Sequence, residues 1–558
     1  MKKALTVLLV LSLVVACTRI PTSGMPQAVE RPAQTSNGIV LDPQGPADDA
    51  DPQDIVVGFM RASSAGFSDD FVVARQFLTS KASATWNPTT QVRIYPDSQN
   101  QQVSQTRSGA YRVTVQAGGN VDSTGRYTAA TADSTLSSEF SLVRNKAGQW
   151  RIAVVPDGVT MPESLFQTLF SRTALYFPTQ DLSAFIADTR WYPRNQVVSS
   201  AARGLVDGPA RWLAGSASSL LPSGTRLANP VVIVNGTLAR VDLTGDIAEL
   251  SEQTRNIIYA QFIKTLTSLP GVAEVEISAN GVPLPSQNET ELPTYPYTSS
   301  SVLMLSNGEP AFVKDDGITL INNAQELRAL DLSHLAVPYG ENPSQFAALG
   351  DDRQTLYRIT TDGRYSALVT GDGLIGPSID RQGQTWVSEN VANAQVQAVD
   401  LGSGNVALVD APWLEGVKVR SLAVSREGAR LAIVIEKDGI SQLLVAGIVR
   451  NSSGQPMSLS EPIRIGQRLT DIEDIAWIAD TRLVAVGKGQ NSLTNALYMV
   501  PLGENVSVMA SLDDIVSVTA GRAEESILLG TSDGDVFTYD AGGWRKVIEG
   551  AMQPTLPG

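Results

Sequence analysis

The chain has 558 residues, 42% of them hydrophobic, and carries 57 acidic against 42 basic side chains, a formal charge of −15. That length exceeds a single core and suggests three or four domains of about 100 to 250 residues. The acidic balance argues against nucleic acid as a partner and against broad adhesion to anionic lipid, while one cysteine and one histidine leave no disulfide, no thiolate metal site and no histidine cluster.

The N-terminus opens with Lys2 and Lys3, continues as an apolar run over 4–15 broken only by Thr6 and Ser12, and closes Val14-Val15-Ala16-Cys17. This is the layout of an exported leader. A spanning helix needs about 20 apolar residues, and the run is far shorter before Pro21 and Gly24 intervene. Branched Val14 three places before the cysteine and small Ala16 directly before it resemble the bacterial lipobox. The resemblance implies a signal peptide over 1–16, cleavage between Ala16 and Cys17, a diacylglycerol thioether on the Cys17 thiol, and a fatty acyl chain such as palmitate on its new amine. Loss of the leader takes Lys2 and Lys3 away and leaves a charge of −17. Each buried methylene contributes about 0.8 kcal/mol, so two or three chains anchor stably where one is marginal. The competing reading is an unmodified apolar cysteine in an ordinary leader.

Residues 17–53 are rich in Pro, Gln, Asp and Ser, with acidic residues at Asp42, Asp48, Asp49, Asp51 and Asp54. They read as a disordered tether that holds the folded part tens of Å from the bilayer. Prolines interrupt the acidic run and the ordered oxygen spacing of a calcium loop is missing.

Residues 54–160 form the first folded region. Asp54 is expected to cap a helix carrying Ile55, Phe59 and Ala62 on one face, and Ser68 a second carrying Phe71, Ala74 and Leu78. Alternating strands follow at 92–95, 111–115, 140–143 and 150–154, the last two joined by a turn at 145–148. Helices leading into a curved antiparallel sheet resemble the α+β nuclear-transport-factor-like fold.

Residues 164–290 hold a spacer helix at 164–171, the segment 182–191, and a helix over 197–213 that stops at Asp207-Gly208-Pro209. Then come Leu221-Pro222-Ser223-Gly224-Thr225, a hairpin around Asn235-Gly236, a helix from Ser251 with Ile258, Phe262, Leu266 and Leu269 in one stripe, a strand over 272–277 and an Asn280-Gly281 turn. This order resembles the GerMN domain, an α/β module of spore-germination and envelope lipoproteins with no established catalysis. Asp207, Gly208, Pro209, Pro222 and Gly224 read first as helix-stop and turn residues, with a ligand edge as the alternative.

Residues 299–558 repeat. The segments 376–387, 421–434, 475–486 and 516–529 each read as a strand, a polar turn and a second apolar strand, about 45 to 50 residues apart, the period of propeller blades. Length allows five to seven blades, and 531–539 reads as an outer hairpin turning at Asp533-Gly534. The fold class is therefore multi-domain: α+β, then α/β, then a C-terminal β-propeller.

Chemistry is sparse. His334 has no Gly-x-Ser-x-Gly nucleophile elbow to serve, and one imidazole cannot build a closed zinc site. Gly487-Lys488-Gly489 lacks the spacing of a phosphate loop and reads as a turn between strands. Trp386, Trp413, Trp477 and Trp544 occupy related points of the repeats, as core or blade-edge residues rather than a sugar platform. A glycosidase pair among the many carboxylates is left open by the sequence. The chain is read as a non-enzyme, with no catalytic residue, no metal ligand and no cofactor.

The order of lipobox, tether, α+β region, GerMN module and propeller resembles the LpqB family of actinobacterial lipoproteins. Members work with the MtrAB two-component system, contacting the extracytoplasmic part of the sensor histidine kinase MtrB. The resemblance implies a lipid-anchored protein on the extracytoplasmic face of the cell membrane that modulates such a kinase in envelope homeostasis. A glycan binder or hydrolase using the propeller mouth, and a passive wall or division scaffold, are the alternatives.

Cys17→Ala is expected to release or mislocalise an otherwise folded chain; membrane fractionation checks this, and a leaderless variant that stays membrane-bound overturns the assignment.

Overall fold

Pro52 sits in the first turn of a helix that Asp51 caps, its carboxylate accepting from the Asp54 backbone N–H at 2.9 Å. Proline suits that turn because its missing N–H has no partner there in any case. The computed structural model describes residues 43–558 except 100, 132, 285–291, 295–300, 315, 316, 341 and 491. Ala16 and Cys17 lie outside the described residues, as do the leader and most of the tether.

Helix Pro52–Ala65 buries Ile55, Val56, Phe59 and Met60. The expected cap Asp54 is thus a first-turn residue, displaced from the cap by proline's preference for the helix start. Ser68 does not cap either. The N-cap position of the short helix Val72–Gln76 is Phe71, with no side-chain cap of its own, and Asp69 two residues earlier accepts from the N–H groups of Phe71 and Val73. Helix Ser80–Thr85, capped by Thr79, carries no apolar stripe and was not expected. Ahead of the first helix, the Asp48 carboxylate accepts from the Gln149 amide.

Strands at Gln91–Tyr95, Tyr111–Gln116, Thr135–Arg144 and Trp150–Val154 match the alternating runs. They divide between two four-stranded sheets rather than one. Gln91–Tyr95 pairs antiparallel with Gly119–Asp122 and parallel with Val159–Pro162, which returns the chain to the helices. Between helices and sheets lies a core of Phe59, Trp86, Ile94, Phe140, Ile152 and Met161.

Next comes a long hairpin, Phe170–Pro178 with Phe185–Pro193, paired antiparallel from end to end. The expected spacer helix is shorter, Glu163–Leu169, because Phe170 begins this hairpin. The α/β module follows. Helices Val197–Asp207 and Glu252–Leu266 pack on the hairpin and on a sheet of Ile233–Asn235, Leu238–Leu243, Glu274–Ala279 and Val282–Pro283. Ser251 caps the second helix, and Ile258, Phe262 and Leu266 form its buried stripe.

The C-terminal region is a ring of six sheets among the described residues. Each innermost strand starts a blade: Leu332–Ala336, Ser378–Ile379, Lys418–Val424, Leu469–Ala479 and Ile515–Ala520 open the second to sixth. The first blade takes its innermost strand from the far end of the chain, where Ala551–Thr555 pairs antiparallel with Val302–Ser306. This closes the ring. The four repeats are the first two strands of the third to sixth blades, whereas 531–539 falls in the middle pair of the sixth, not its outer hairpin, since Gly543–Glu549 lies outside it. Gly487-Lys488-Gly489 is not a turn but the end of strand Arg482–Gly489. A Cβ on Gly487 would lie 2.0 Å from the Asp471 carbonyl, so glycine lets the bulged neighbouring strand approach.

The hairpin belongs to two cores at once. Phe170 and Trp191 complete the N-terminal core, while Leu175, Phe177, Ile186 and Tyr192 join a second core that runs through both module helices into the fourth and fifth blades at Ala432, Val445, Leu483 and Val500. Residues 43–558 accordingly form one compact unit. Inside the hairpin, buried Asp188 and Arg190 pair at 2.6 Å. Asp188 also accepts from the Ala210 N–H at 2.9 Å, and Arg190 donates to the Thr124 carbonyl at 2.8 Å.

Removing one partner leaves a buried charge uncompensated, so Asp188→Ala is expected to cost about 3 to 5 kcal/mol. Urea denaturation of the purified chain measures the loss; a loss below about 1 kcal/mol means the pair behaves as a surface bridge.

Candidate functional site

Six innermost strands enclose an axial channel of about 410 Å³. Neighbouring inner strands belong to separate sheets among the described residues, and side chains stitch them together. Ser378 Oγ accepts from the Val424 N–H at 3.0 Å and Thr519 Oγ1 from the Leu556 N–H at 3.1 Å. Gln553 accepts from the His334 N–H. Asp474 joins three blades: its carboxylate accepts from Ile475 N–H and Val518 N–H, each at 2.9 Å, and from Ser421 Oγ at 3.4 Å.

The channel ends differ. At one mouth stand Arg353, Asn390, Arg420 and Glu473, Arg353 on the turn after strand Gln345–Gly350, whose Gly350 pairs with Leu332. Buried Arg426 and residues Leu556, Pro557 and Gly558 line the other. On that side the turn after Lys418–Val424 is packed under the hairpin and module.

Two titrating groups in the wall are shifted in opposite senses. Burial pushes the Asp474 carboxyl up to about 6 despite its hydrogen bonds. Burial, then the adjacent Arg353 guanidinium, pulls His334 down to about 4. Its imidazole is therefore neutral at pH 7, with Nε2 3.2 Å from Arg353 Nη2 and Nδ1 3.1 Å from Ser333 Oγ. His334 itself sits at a bulge with φ +45°. Of the acidic pair Glu473 and Asp474, the second spends its oxygens on blade-joining hydrogen bonds rather than facing a substrate freely.

The four tryptophans are structural. Trp386 is fully buried and donates to Asp380, which also pairs with Arg450 at 2.6 Å. Trp477 donates to Ala423 O, Trp413 to Ser460 O and Trp544 to Ala510 O. Gly208 and Gly224 take φ of +90° and +85°, and Asp207 ends the helix. The stop-and-turn reading fits them. Among the described residues no acidic, histidine or cysteine group could hold a metal, and no helix is long and apolar enough to cross a membrane.

The contacts between domains were invisible to sequence reasoning. Tyr176 donates to Asp480 Oδ2 at 2.9 Å, Arg172 to the carbonyls of Thr481 and Leu502, and Trp191 to that of Gly503 at 2.7 Å. Arg430, wholly buried, pairs with Glu427 at 2.7 Å, donates to Asp480 O and lies over the Trp477 ring.

An α+β domain, an α/β module and a six-bladed ring fused through one hairpin define a modular propeller protein. Three family models divide the chain the same way: "Lipoprotein LpqB, N-terminal domain" matches 45–167, "Sporulation and spore germination" 174–285, and "Lipoprotein LpqB beta-propeller domain" 308–557. The chain belongs to the LpqB family. Relatives named Lipoprotein LpqB include that of Streptomyces avermitilis, 27% identical over 98% of this chain and 96% of the relative. That of Mycobacterium bovis is 26% identical over 99% of each, and that of Cutibacterium acnes 24% identical over 96% of each. Among solved structures, TolB from Acinetobacter baumannii is 12% identical, covers 70% of this chain and 84% of its own, and has a TM-score of 0.35, too low to carry an argument.

The two channel groups give opposed pH slopes. Folded Asp474 keeps its proton between about pH 4 and 6, where the unfolded chain has released it, so its contribution declines as pH rises through that window. Folded His334 refuses a proton that the unfolded chain takes up below about 6.5, so its contribution declines as pH falls from there to about 4. Each amounts to at most about 3 kcal/mol, reduced by water the channel admits. Relative to the parent, Asp474→Asn should gain stability as pH rises from 4 to 6, and His334→Gln should gain it as pH falls from 6.5 to 4. Denaturation midpoints across pH 4 to 7 test this, and parallel curves for parent and variants would refute it.

Proposed function

We propose that this chain is a membrane-anchored extracytoplasmic lipoprotein, without catalytic activity, that binds and modulates the sensor histidine kinase of an MtrAB-like two-component system. The observation that carries the reading is the match to lipoproteins along almost the whole chain, together with a leader-like segment over 1–16 directly before Cys17. A lipid at Cys17 fixes the protein to the bilayer. The folded body offers wide protein surface. Asp474, the most perturbed carboxyl of the channel, is engaged in joining blades, which supports a binding role over hydrolysis.

The continuous core between module and propeller favours a second reading. Domains fused in this way suit a passive scaffold for wall or division machinery, because no joint is left to relay a signal by bending. Scaffolding implies several partners and no effect on kinase phosphorylation.

Biolayer interferometry between the purified chain and the kinase's extracytoplasmic domain is expected to show binding at concentrations on the order of tens of micromolar or below. Autophosphorylation of the kinase in proteoliposomes should change when the lipoprotein is added. Binding without that change selects the scaffold, and no binding removes the kinase proposal.

A further inference from the structure

A second cavity, of about 280 Å³, lies where the three domains meet. Its wall takes Arg126 from the N-terminal domain, Thr189 from the hairpin and Arg464 from the strand Ile463–Ile465 beside the fourth blade. Two of these groups are incomplete. Among the described residues, Arg464 Nε and Thr189 Oγ1 are buried and have no hydrogen-bond partner. A buried donor left unmade costs about 1 to 3 kcal/mol, more when charged. Burial lowers the Arg464 pKa, and no acidic neighbour offsets it.

The one carboxylate in the wall, Asp188, does not supply the missing charge. It is held by Arg190 and by the Ala210 N–H. Arg126 forms no ion pair among the described residues, so the cavity has a positive excess. On the hairpin side the packing is close: a Cβ on Gly503 would lie 3.2 Å from Thr189 Cγ2, and the Gly503 carbonyl accepts from Trp191 Nε1.

We propose that this junction is a binding site for a phosphate-type oxyanion, held by the guanidinium groups of Arg126 and Arg464 and by the Thr189 hydroxyl. Arg126, Thr189 and Arg464 bring donors from three domains to the wall of one cavity. Guanidinium groups match phosphate oxygens in charge and in geometry. The occupant stabilises the fused body, since it binds only when all three domains are assembled.

The test uses the full-length chain in detergent, titrated calorimetrically with sodium phosphate against sodium chloride at matched ionic strength, with thermal melts in parallel. Saturable binding and a Tm that rises with phosphate are expected. Arg464→Gln and Thr189→Val should weaken binding about tenfold or more, whereas Arg545→Gln, on an exposed pair with Asp540, leaves it unchanged. Should Arg464→Gln fail to fold, Arg126→Gln, at a half-buried position, carries the same expectation. In a second arm, glycerol 3-phosphate binding more tightly than phosphate assigns a phosphate monoester, and phosphate alone assigns the free ion. No saturable phosphate binding at millimolar concentration, or unchanged affinity in the folded arginine variants, overturns the proposal.

Discussion

Everything between residues 43 and 558 depends on one hairpin. Phe170–Pro178 and Phe185–Pro193 are buried on both faces, and they lend Phe170 and Trp191 to one core and Leu175, Phe177 and Ile186 to another. A two-stranded sheet is marginal by itself. Here it is stable because its side chains are built into the cores on both sides. The buried Asp188–Arg190 pair adds little net energy in such a setting, where desolvation offsets most of the attraction. Its value is registry, since Thr124 and Ala210 each meet only one end of it.

The propeller follows a different rule. Blades are joined through their inner strands by single side chains such as Ser378, Thr519 and Asp474 rather than by shared sheets. Several of those side chains therefore face the channel and lie in a medium poorer in water than the surface. The opposed shifts of Asp474 and His334 are a by-product of that architecture, and over mildly acidic pH each offsets the other.

Much of this was readable where a local signal exists. Ser251 followed by Ile258, Phe262 and Leu266 announces a capped amphipathic helix, and the Asn280-Gly281 pair, with φ of +51° and +78°, announces its turn. The blade repeats show because each inner strand pair must bury the same face. The hairpin was half-missed for a physical reason: Ser171-Arg172-Thr173 and Asp188-Thr189-Arg190 interrupt its apolar residues, so the strands show neither clean alternation nor an unbroken apolar run, and polar groups such as Arg172 and Arg190 are satisfied by distant segments. Helix Ser80–Thr85 lacks a stripe because only Ala82 is buried. Asp474, Arg464 and Thr189 have no sequence signature at all. Their roles come from neighbours tens or hundreds of residues away.

The strand that closes the ring has a consequence in time. Ala551–Thr555 meets Val302–Ser306 across about 250 residues, and closing a loop that long costs on the order of 5 kcal/mol in chain entropy. A chain made from its N-terminus therefore carries an incomplete first blade until its final residues appear, with an unpaired strand edge open to any other extended chain. The N-terminal domain and the α/β module can be finished by then. The core that joins the module to the ring reaches the fourth and fifth blades and includes no residue of the first, so that edge waits without its cover.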